Sequence, residues 1–176
     1  GFQPNLSSYQ AGLASFRGLR RRLEKLYESP VTIVYDDFAH HPTAIASAIQ
    51  AIRERYPDWR LVVICEPRSN TMVRNVFQKE LEQTFDGVDE VVFGTIHRQD
   101  RIPPDQRLDI SALIHHLEAR EIPALQRANS QLVSELAGRS SGKRSVFLFL
   151  SNGSFDNVPH DFVNYLRSRA AETSHT

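Results

Sequence analysis

The stretch VTIVYDDFAHHPTAIASAIQAIRERY, residues 31–56, decides the fold class. Its first seven residues are rich in β-branched side chains, which favours a β-strand. From Pro42 onward, Ile45, Ile49 and Ile52 recur with the spacing of one helical face, and proline suits the first position of a helix. A strand followed directly by an amphipathic helix is the unit from which parallel α/β sheets are built.

The same alternation recurs along the chain. RLVVICE, VDEVVFG and SVFLFL are apolar runs of strand length, and IPALQ is a shorter candidate. Segments of helical period follow the first long strand and each later run: residues 42–56, 70–85, 110–120, 130–138 and 159–172. Asn70 and Asp109 are the predicted N-caps of the second and third segments. We expect residues 16–29 to pair with the first long strand. The predicted fold is an α/β three-layer sandwich with a mostly parallel, Rossmann-like sheet and an antiparallel N-terminal strand or hairpin.

Composition sets limits on the class of protein. The chain has 176 residues, enough for one well-packed domain. Its 21 basic and 21 acidic residues cancel, so nothing in the charge indicates capture of nucleic acid or of an anionic membrane. Cys65 is the single cysteine, which excludes an intrachain disulfide and fits a reducing compartment. No apolar run approaches membrane-spanning length, and we expect a cytoplasmic domain.

The chain divides into three predicted parts. Residues 1–16 begin without methionine and resemble a linker, which suggests a fragment of a larger protein. Residues 17–170 are the predicted folded domain, and residues 171–176 are predicted to be a disordered tail.

Three polar loops follow predicted strands: DDFAHHPT at residues 36–43, EPRSNT at residues 66–71 and SNGSFDN at residues 151–157. Ligands of open α/β sheets bind beyond the carboxyl ends of the strands. We therefore expect these three loops to form one site at a single edge of the sheet.

The first loop admits three interpretations. Asp36, Asp37, His40 and His41 have a spacing that suits a metal centre, as in a stand-alone metal-dependent hydrolase. In a plainer interpretation, Asp37 and His41 cap backbone amides at the start of the following helix. In the third, Asp37 accepts hydrogen bonds from sugar hydroxyls while the histidines and the helix start face an anionic group. The position of this loop at the end of a strand favours the third interpretation.

The other loops carry donors for an anionic ligand. Arg68 can hold a carboxylate or phosphate through two parallel hydrogen bonds, and Ser69 and Asn70 add neutral donors. The plain alternative is that Arg68 pairs with Glu66 at the surface. Further candidate ligand contacts after the last strand are Ser151, Asn152 and Gly153. Candidates before the first long strand are Arg20, Arg21 and Arg22.

In the strand expected for the arginine run, alternation places Arg20 and Arg22 on one side and Arg21 on the other. SSGKRS, residues 140–145, lacks the first glycine of a phosphate loop and precedes a strand, so we reject it as such a loop. His97, which shows no partner in the sequence, is predicted to be a surface residue.

FRGLRRRLE, VYDDFAHHPTAI, EPRSNTM and LSNGSFDNVP, in this order and spacing, resemble the C-terminal domain of the Mur ligases, bacterial enzymes of the cell wall. The resemblance covers residues 11–168. It implies an ATP-dependent ligase in which a carboxylate of a UDP-sugar is phosphorylated to an acyl phosphate that an amine then attacks.

In that family an N-terminal domain holds the UDP-sugar, and a central domain carries the phosphate loop and the Mg²⁺ ligands. The C-terminal domain binds the incoming amino acid or peptide and closes over ATP. The resemblance therefore implies that this chain alone is inactive, that residues 1–16 end the central domain, and that ATP and Mg²⁺ are held mainly outside the chain.

Within the family, EPRSNTM together with SNGSF favours the ligase that joins the recycled murein tripeptide L-Ala-γ-D-Glu-meso-diaminopimelate to UDP-N-acetylmuramate. DDFAHHPT alone equally fits the ligase that adds L-alanine. One departure is VRNVFQ after NTM, where a lysine-glycine type of sequence is common.

By motif position, the resemblance assigns Asp37 to the ATP ribose, Arg22 to the ribose or phosphates, and His40 to the neighbourhood of the nucleotide. The residues assigned to the tripeptide are His41, Arg68, Ser69, Asn70, Ser151 and Asn152. Arg68 is the candidate for a peptide carboxylate. No catalytic residue and no metal ligand is assigned.

Overall fold

The structure is a computed structural model that describes residues 21–140 and 142–173. The strands in these residues are β1 Glu24–Glu28, β2 Thr32–Asp37, β3 Arg60–Cys65, β4 Glu90–Phe93, β5 Ala124–Gln126 and β6 Ser145–Leu150. The α-helices are α1 Pro42–Arg55, α2 Gln78–Thr84, α3 Ile110–Ala119, α4 Asn129–Ala137 and α5 Val158–Thr173. Short 3-10 turns lie at Asn75–Phe77, Gln99–Arg101, Pro104–Gln106 and Phe155–Asn157.

The strands form one sheet in the order β1-β2-β6-β3-β4-β5. β1 runs antiparallel to β2, and the remaining neighbours are parallel. Ser145 at the start of β6 pairs with both Thr32 and Arg60, so β2, β6 and β3 begin and end at the same level. The predicted α/β fold with its antiparallel N-terminal strand is confirmed.

Each face of the sheet buries its own apolar cluster, because successive side chains of a strand point to opposite faces. Val34, Phe147 and Phe149 face α4 and α5, where the ring of Phe162 lies 4.9 Å from that of Phe147. The opposite face packs against α1, α2 and α3, and its cluster includes Ile45, Ile49, Ile52, Leu81, Leu113 and Leu117. Burial on both faces explains why the long strands are continuous apolar runs.

The helix starting at Asp109 is as predicted, since Asp109 Oδ1 accepts a hydrogen bond from Ala112 N at 2.9 Å. The prediction for residues 70–85 is wrong in extent. The α-helix begins only at Gln78, and Asn70 is not its N-cap. Arg74 is extended there and forms a bridge with Arg107, which interrupts helical geometry.

Several predictions concern residues that the structure does not describe. These are the linker at residues 1–16, the placement of Arg20 and the last three residues of the predicted tail. Residues 171–173 belong to α5. Within residues 21–140 and 142–173, no helix is both long and apolar enough to cross a membrane.

Candidate functional site at the carboxyl edge of the sheet

The loops after β2, β3, β4 and β6 meet at one edge of the sheet. Ser151 N donates to Asp37 O at 3.2 Å, Glu66 N donates to Leu150 O at 3.0 Å, and Gly94 N donates to Cys65 O at 2.9 Å. These hydrogen bonds extend the parallel ladder by one residue past the strands. The predicted convergence of the three polar loops therefore occurs, and a fourth loop, after β4, joins them.

A cavity of about 550 Å³ opens at this edge. It is lined by Arg68, Ser69, Asn70, Val73, Arg74, His97, Arg98, Arg101, Ile102 and Asn152. Four of the lining residues are arginines and none of the described lining residues is acidic. The cavity is therefore a cationic site, which we call the arginine cavity, and it suits a ligand with several negative charges.

Arg68 enters the arginine cavity from the end of β3. Its Nη1 donates to Glu66 Oε1 at 3.4 Å, and its side chain is 26% exposed. The stem lies against Gly153, where a Cβ atom would overlap Arg68 Nε. Arg68 thus makes the ion pair of the plain interpretation and also lines the cavity.

Ser69, Asn70 and Asn152 lie together on the arginine cavity, at the strand ends where the sequence pattern predicted a site. Ser69 Oγ accepts from Met72 N at 3.2 Å and so closes the turn that presents Asn70. Asn152 Oδ1 is buried and has no hydrogen-bond partner within the described part of the chain. A buried acceptor of this kind is satisfied by a donor on a bound molecule or by water.

Ser151 does not line the cavity but lies beneath it. Its side chain is buried, its hydroxyl donates to Glu66 Oε2, and its Oγ accepts from Gly153 N at 3.0 Å. Ser151 was predicted to face the ligand because it directly follows a strand. The local sequence gives no sign of the contact with Glu66. Glu66 is 4% exposed and also accepts from Asn129 Nδ2 at 3.3 Å, which ties β3, β6 and α4 together.

The two adjacent carboxylates of the first loop point to opposite faces of β2. Asp37 Oδ2 accepts from Leu23 N at 2.6 Å, and Oδ1 accepts from Ala39 N at 2.7 Å. Asp36 Oδ2 accepts from Arg21 Nε at 2.9 Å, while its Oδ1 is buried without a partner among the described residues. Burial raises the pKa of Asp36 above its ordinary value, and the hydrogen bond from Arg21 offsets part of that effect.

The two histidines each bond within the loop. His40 Nδ1 lies 2.8 Å from Phe38 O, and His41 Nδ1 lies 2.8 Å from Thr43 Oγ1. His41 occupies the N-cap position of α1 but makes no side-chain capping bond. The plain capping interpretation is therefore wrong for His41, and Asp37 caps loop amides rather than the helix.

The metal-centre interpretation of this loop is contradicted by its geometry. Asp36, Asp37, His40 and His41 engage four separate sets of partners. Across residues 21–140 and 142–173, no three His, Cys, Asp or Glu side chains are grouped closely enough to hold a metal ion.

Arg21, rather than Arg22, reaches the strand ends. β1 begins only at Glu24, and Arg21 and Leu23 have left-handed φ values of 55° and 44°, so strand alternation does not apply to Arg21 and Arg22. Arg21 Nη2 donates to Ser151 O, and its guanidinium lies 5.4 Å from the ring of Phe38. Arg22, assigned to the nucleotide by resemblance, is exposed beside this contact.

His97 was predicted to be a surface residue without a partner, and it lies in the wall of the arginine cavity. It is half-buried, its N donates to Pro67 O at 3.0 Å, and it lines the arginine cavity with Arg98 and Arg101. This wall of the cavity was not predicted from the sequence. The available signal was the basic stretch HRQDR, residues 97–101, directly beyond the fourth strand.

Fold and cavity together define an α/β domain with a cationic cavity at the carboxyl edge of its sheet. Residues 21–152 match the family model described as Mur ligase, glutamate ligase domain. The chain belongs to the Mur ligase family and corresponds to its C-terminal domain.

Two curated relatives carry different activities in their names. The chain is 31% identical over 159 residues to the UDP-N-acetylmuramate--L-alanyl-gamma-D-glutamyl-meso-2,6-diaminoheptandioate ligase of Escherichia coli, covering 90% of this chain and 33% of the relative. It is 26% identical over 163 residues to the UDP-N-acetylmuramate--L-alanine ligase of Lactobacillus acidophilus, covering 92% and 34%.

A solved structure gives the same family. The murein peptide ligase of Psychrobacter arcticus superposes with a TM-score of 0.67 at 25% identity, covering 88% of this chain and 31% of that one. The chain thus spans about one third of the length of the curated relatives it matches.

Proposed function

We propose that this chain is the peptide-binding C-terminal domain of an ATP-dependent ligase. The ligase joins the recycled tripeptide L-Ala-γ-D-Glu-meso-diaminopimelate to UDP-N-acetylmuramate during peptidoglycan recycling. The observation that carries the proposal is the arginine cavity, with its four guanidinium groups and no acidic residue in the described lining.

Charge distinguishes the tripeptide from L-alanine as the incoming amine. The tripeptide has one free carboxylate on γ-linked D-glutamate and two on diaminopimelate, whereas L-alanine has a single carboxylate. A guanidinium binds a carboxylate through two parallel hydrogen bonds, so Arg68, Arg98 and Arg101 provide one clamp for each carboxylate. L-alanine would leave most of this charge unneutralised.

The role of these residues is binding and orientation. Arginines that hold the peptide carboxylates leave the amino group of its L-alanine as the free end, which is the nucleophile of the ligation. Fixing that amine next to an activated carboxylate makes the attack effectively unimolecular. ATP and Mg²⁺, held by the central domain, supply the activation as phosphorylation of the UDP-sugar carboxylate.

We place the nucleotide at the end of β2, beside the arginine cavity. Each Asp37 oxygen accepts one backbone hydrogen bond and keeps capacity for a second, from a ribose hydroxyl. His40 and Arg22 then lie on the nucleotide side, and His41 on the side of the peptide. The proposed partners are the central and N-terminal domains of the same protein.

The proposal is tested in the intact ligase with Arg68→Ala. We expect the KM for tripeptide to rise at least about tenfold with a smaller change in the KM for ATP, because a carboxylate clamp is lost. Arg167→Ala, an exposed arginine on α5, is the matched control. Equal effects on both substrates would contradict the assignment of Arg68, and product formation by this chain alone would contradict its role as a part of the enzyme.

L-alanine ligation is the second candidate, favoured by the similarity to the Lactobacillus acidophilus enzyme. Competition decides between the two. With both amines at equal concentration, the tripeptide ligase forms UDP-N-acetylmuramoyl-tripeptide, and the L-alanine ligase forms UDP-N-acetylmuramoyl-L-alanine.

A further inference from the structure

Gly153 lies where a side chain would collide with Arg68. A Cβ atom built at Gly153 would overlap Arg68 Nε and Cδ and would lie 2.5 Å from Cζ. These three atoms are its nearest neighbours, so the collision is with the guanidinium and its stem. Any residue other than glycine would take the volume that Arg68 occupies.

The backbone does not require glycine at this position. Gly87 and Gly142 have φ values of 75° and 94°, a region that favours glycine, but Gly153 is not among the described residues with positive φ. Its φ therefore does not lie in the left-handed region that excludes alanine. The contact with Arg68 therefore explains the missing side chain, and conformation does not.

Glu66 makes a second contact that holds Arg68. Glu66 Oε1 accepts a hydrogen bond from Arg68 Nη1. Ser151 Oγ donates to Glu66 Oε2 and accepts from Gly153 N. The carboxylate and the loop backbone thus both contact Arg68 and are joined to each other through Ser151 Oγ. A long side chain held in this way has already lost rotamer freedom before a ligand arrives, which reduces the entropic cost of binding.

We propose that Gly153 is a positioning residue, which together with Glu66 fixes Arg68 in its orientation toward the arginine cavity. The statement that the bound group is a peptide carboxylate rests on the proposed function. The positioning itself does not.

The first experiment measures the order of Arg68 without any ligand. In ¹H–¹⁵N spectra of this chain, the Arg68 Nε–H signal is assigned by its disappearance in Arg68→Ala. We expect it to be distinct from mobile arginines in the wild type and to move to their position in Gly153→Ala. An unchanged Arg68 signal in Gly153→Ala would overturn the inference whatever the ligand is.

The second experiment titrates the same proteins with the tripeptide. Gly153→Ala is expected to weaken binding about tenfold, the effect of losing a charged hydrogen bond. Its unfolding midpoint should fall only modestly, because Glu66 keeps its hydrogen bonds from Ser151 Oγ and Asn129 Nδ2 when Arg68 moves. Gly138→Ala is the matched control, since its nearest heavy atom is Glu135 O at 3.8 Å.

A double-mutant cycle separates positioning from general damage. In the Arg68→Ala background the added methyl group has no guanidinium to displace, so combining it with Gly153→Ala should leave the Kd unchanged. Additive losses would overturn the inference. If the wild type fails to bind the tripeptide while its Arg68 signal still moves in Gly153→Ala, the proposed ligand is wrong and the positioning stands.

Discussion

The two edges of the sheet use arginine differently. At the amino edge, where β3 and β4 begin, arginines pair with carboxylates of the fold: Arg53 with Asp89, Arg60 with Glu90, and Arg139 with Glu90 and Glu135. At the carboxyl edge, Arg21 and Arg68 pair with Asp36 and Glu66, but Arg74, Arg98 and Arg101 line the arginine cavity, whose described lining holds no acidic residue. Cations that the fold neutralises contribute to stability, whereas cations that face a cavity indicate a ligand.

The first test of this comparison is Glu90→Ala at the amino edge. The Glu90 side chain is only 6% exposed and pairs with both Arg60 and Arg139. Removing one partner from a buried ion pair leaves charge without compensation, so we expect the free energy of unfolding to fall by about 3 kcal/mol. Urea unfolding measures the change.

Glu118→Ala is the control for Glu90→Ala, because that side chain is 53% exposed, and its effect should stay within about 0.5 kcal/mol. Tripeptide affinity should be the same in the folded state of both variants. A Glu90→Ala loss below about 1 kcal/mol would show that the amino edge is not held together by its ion pairs.

The second test is Arg101→Ala at the carboxyl edge. Since Arg101 lines the arginine cavity, we expect tripeptide affinity to fall about tenfold while stability changes by less than about 0.5 kcal/mol. Calorimetric titration and urea unfolding of the same sample measure both quantities. Arg101→Lys keeps the charge and should recover part of the affinity. A stability loss without a loss of affinity would assign Arg101 to the fold.

The third test concerns the smallest effect, the pH dependence of the free energy of unfolding. One carboxylate at each edge contributes to it, and the two contributions have opposite signs. Hydrogen bonds from Arg139 and Arg127 lower the pKa of Glu135 below its ordinary value of 4.5. Its contribution to stability is present above pH 4.5 and is lost as the pH falls through its lower folded pKa. Glu135→Gln should therefore flatten the acid limb of the unfolding free energy.

Asp36 at the carboxyl edge should act in the reverse direction. Burial raises its pKa above 3.8, so the folded state holds the proton more tightly, and this contribution favours folding at low pH and is lost as the pH rises through the folded pKa. Asp36→Asn should steepen the acid loss. Urea unfolding from about pH 3 to 6 tests both variants, and slope changes of the same sign would contradict the assignment.

The layers of this fold were predictable because burial of a strand or helix is visible in its local sequence pattern. β3 and β6 are covered on both faces, and their sequences are continuous apolar runs. The failure at residues 70–85 has a tertiary cause, since the bridge from Arg74 to Arg107 interrupts a helix that local pattern favoured.

The sequence indicated candidate site residues only where they closely follow the end of a strand. Arg68 and Asn152, predicted as site residues because they closely follow strands, line the arginine cavity, and their roles stay predictions. Arg98 lines the same cavity but lies in a left-handed turn without periodicity, and the sequence did not single it out. Ser151 was predicted to face the ligand, but it lies beneath the cavity because its orientation depends on Glu66, a partner 85 residues away in sequence.

The position of β6 has a consequence for synthesis of the chain. β6 is the last strand in sequence, yet it separates the β1-β2 pair from the β3-β4-β5 group. Until Ser145–Leu150 has left the ribosome, β2 and β3 each present an open edge to solvent, and such edges recruit other chains. Closure of the sheet is thus a late, long-range event, and nascent chains that stall before β6 are the species in which aggregation and chaperone capture should concentrate.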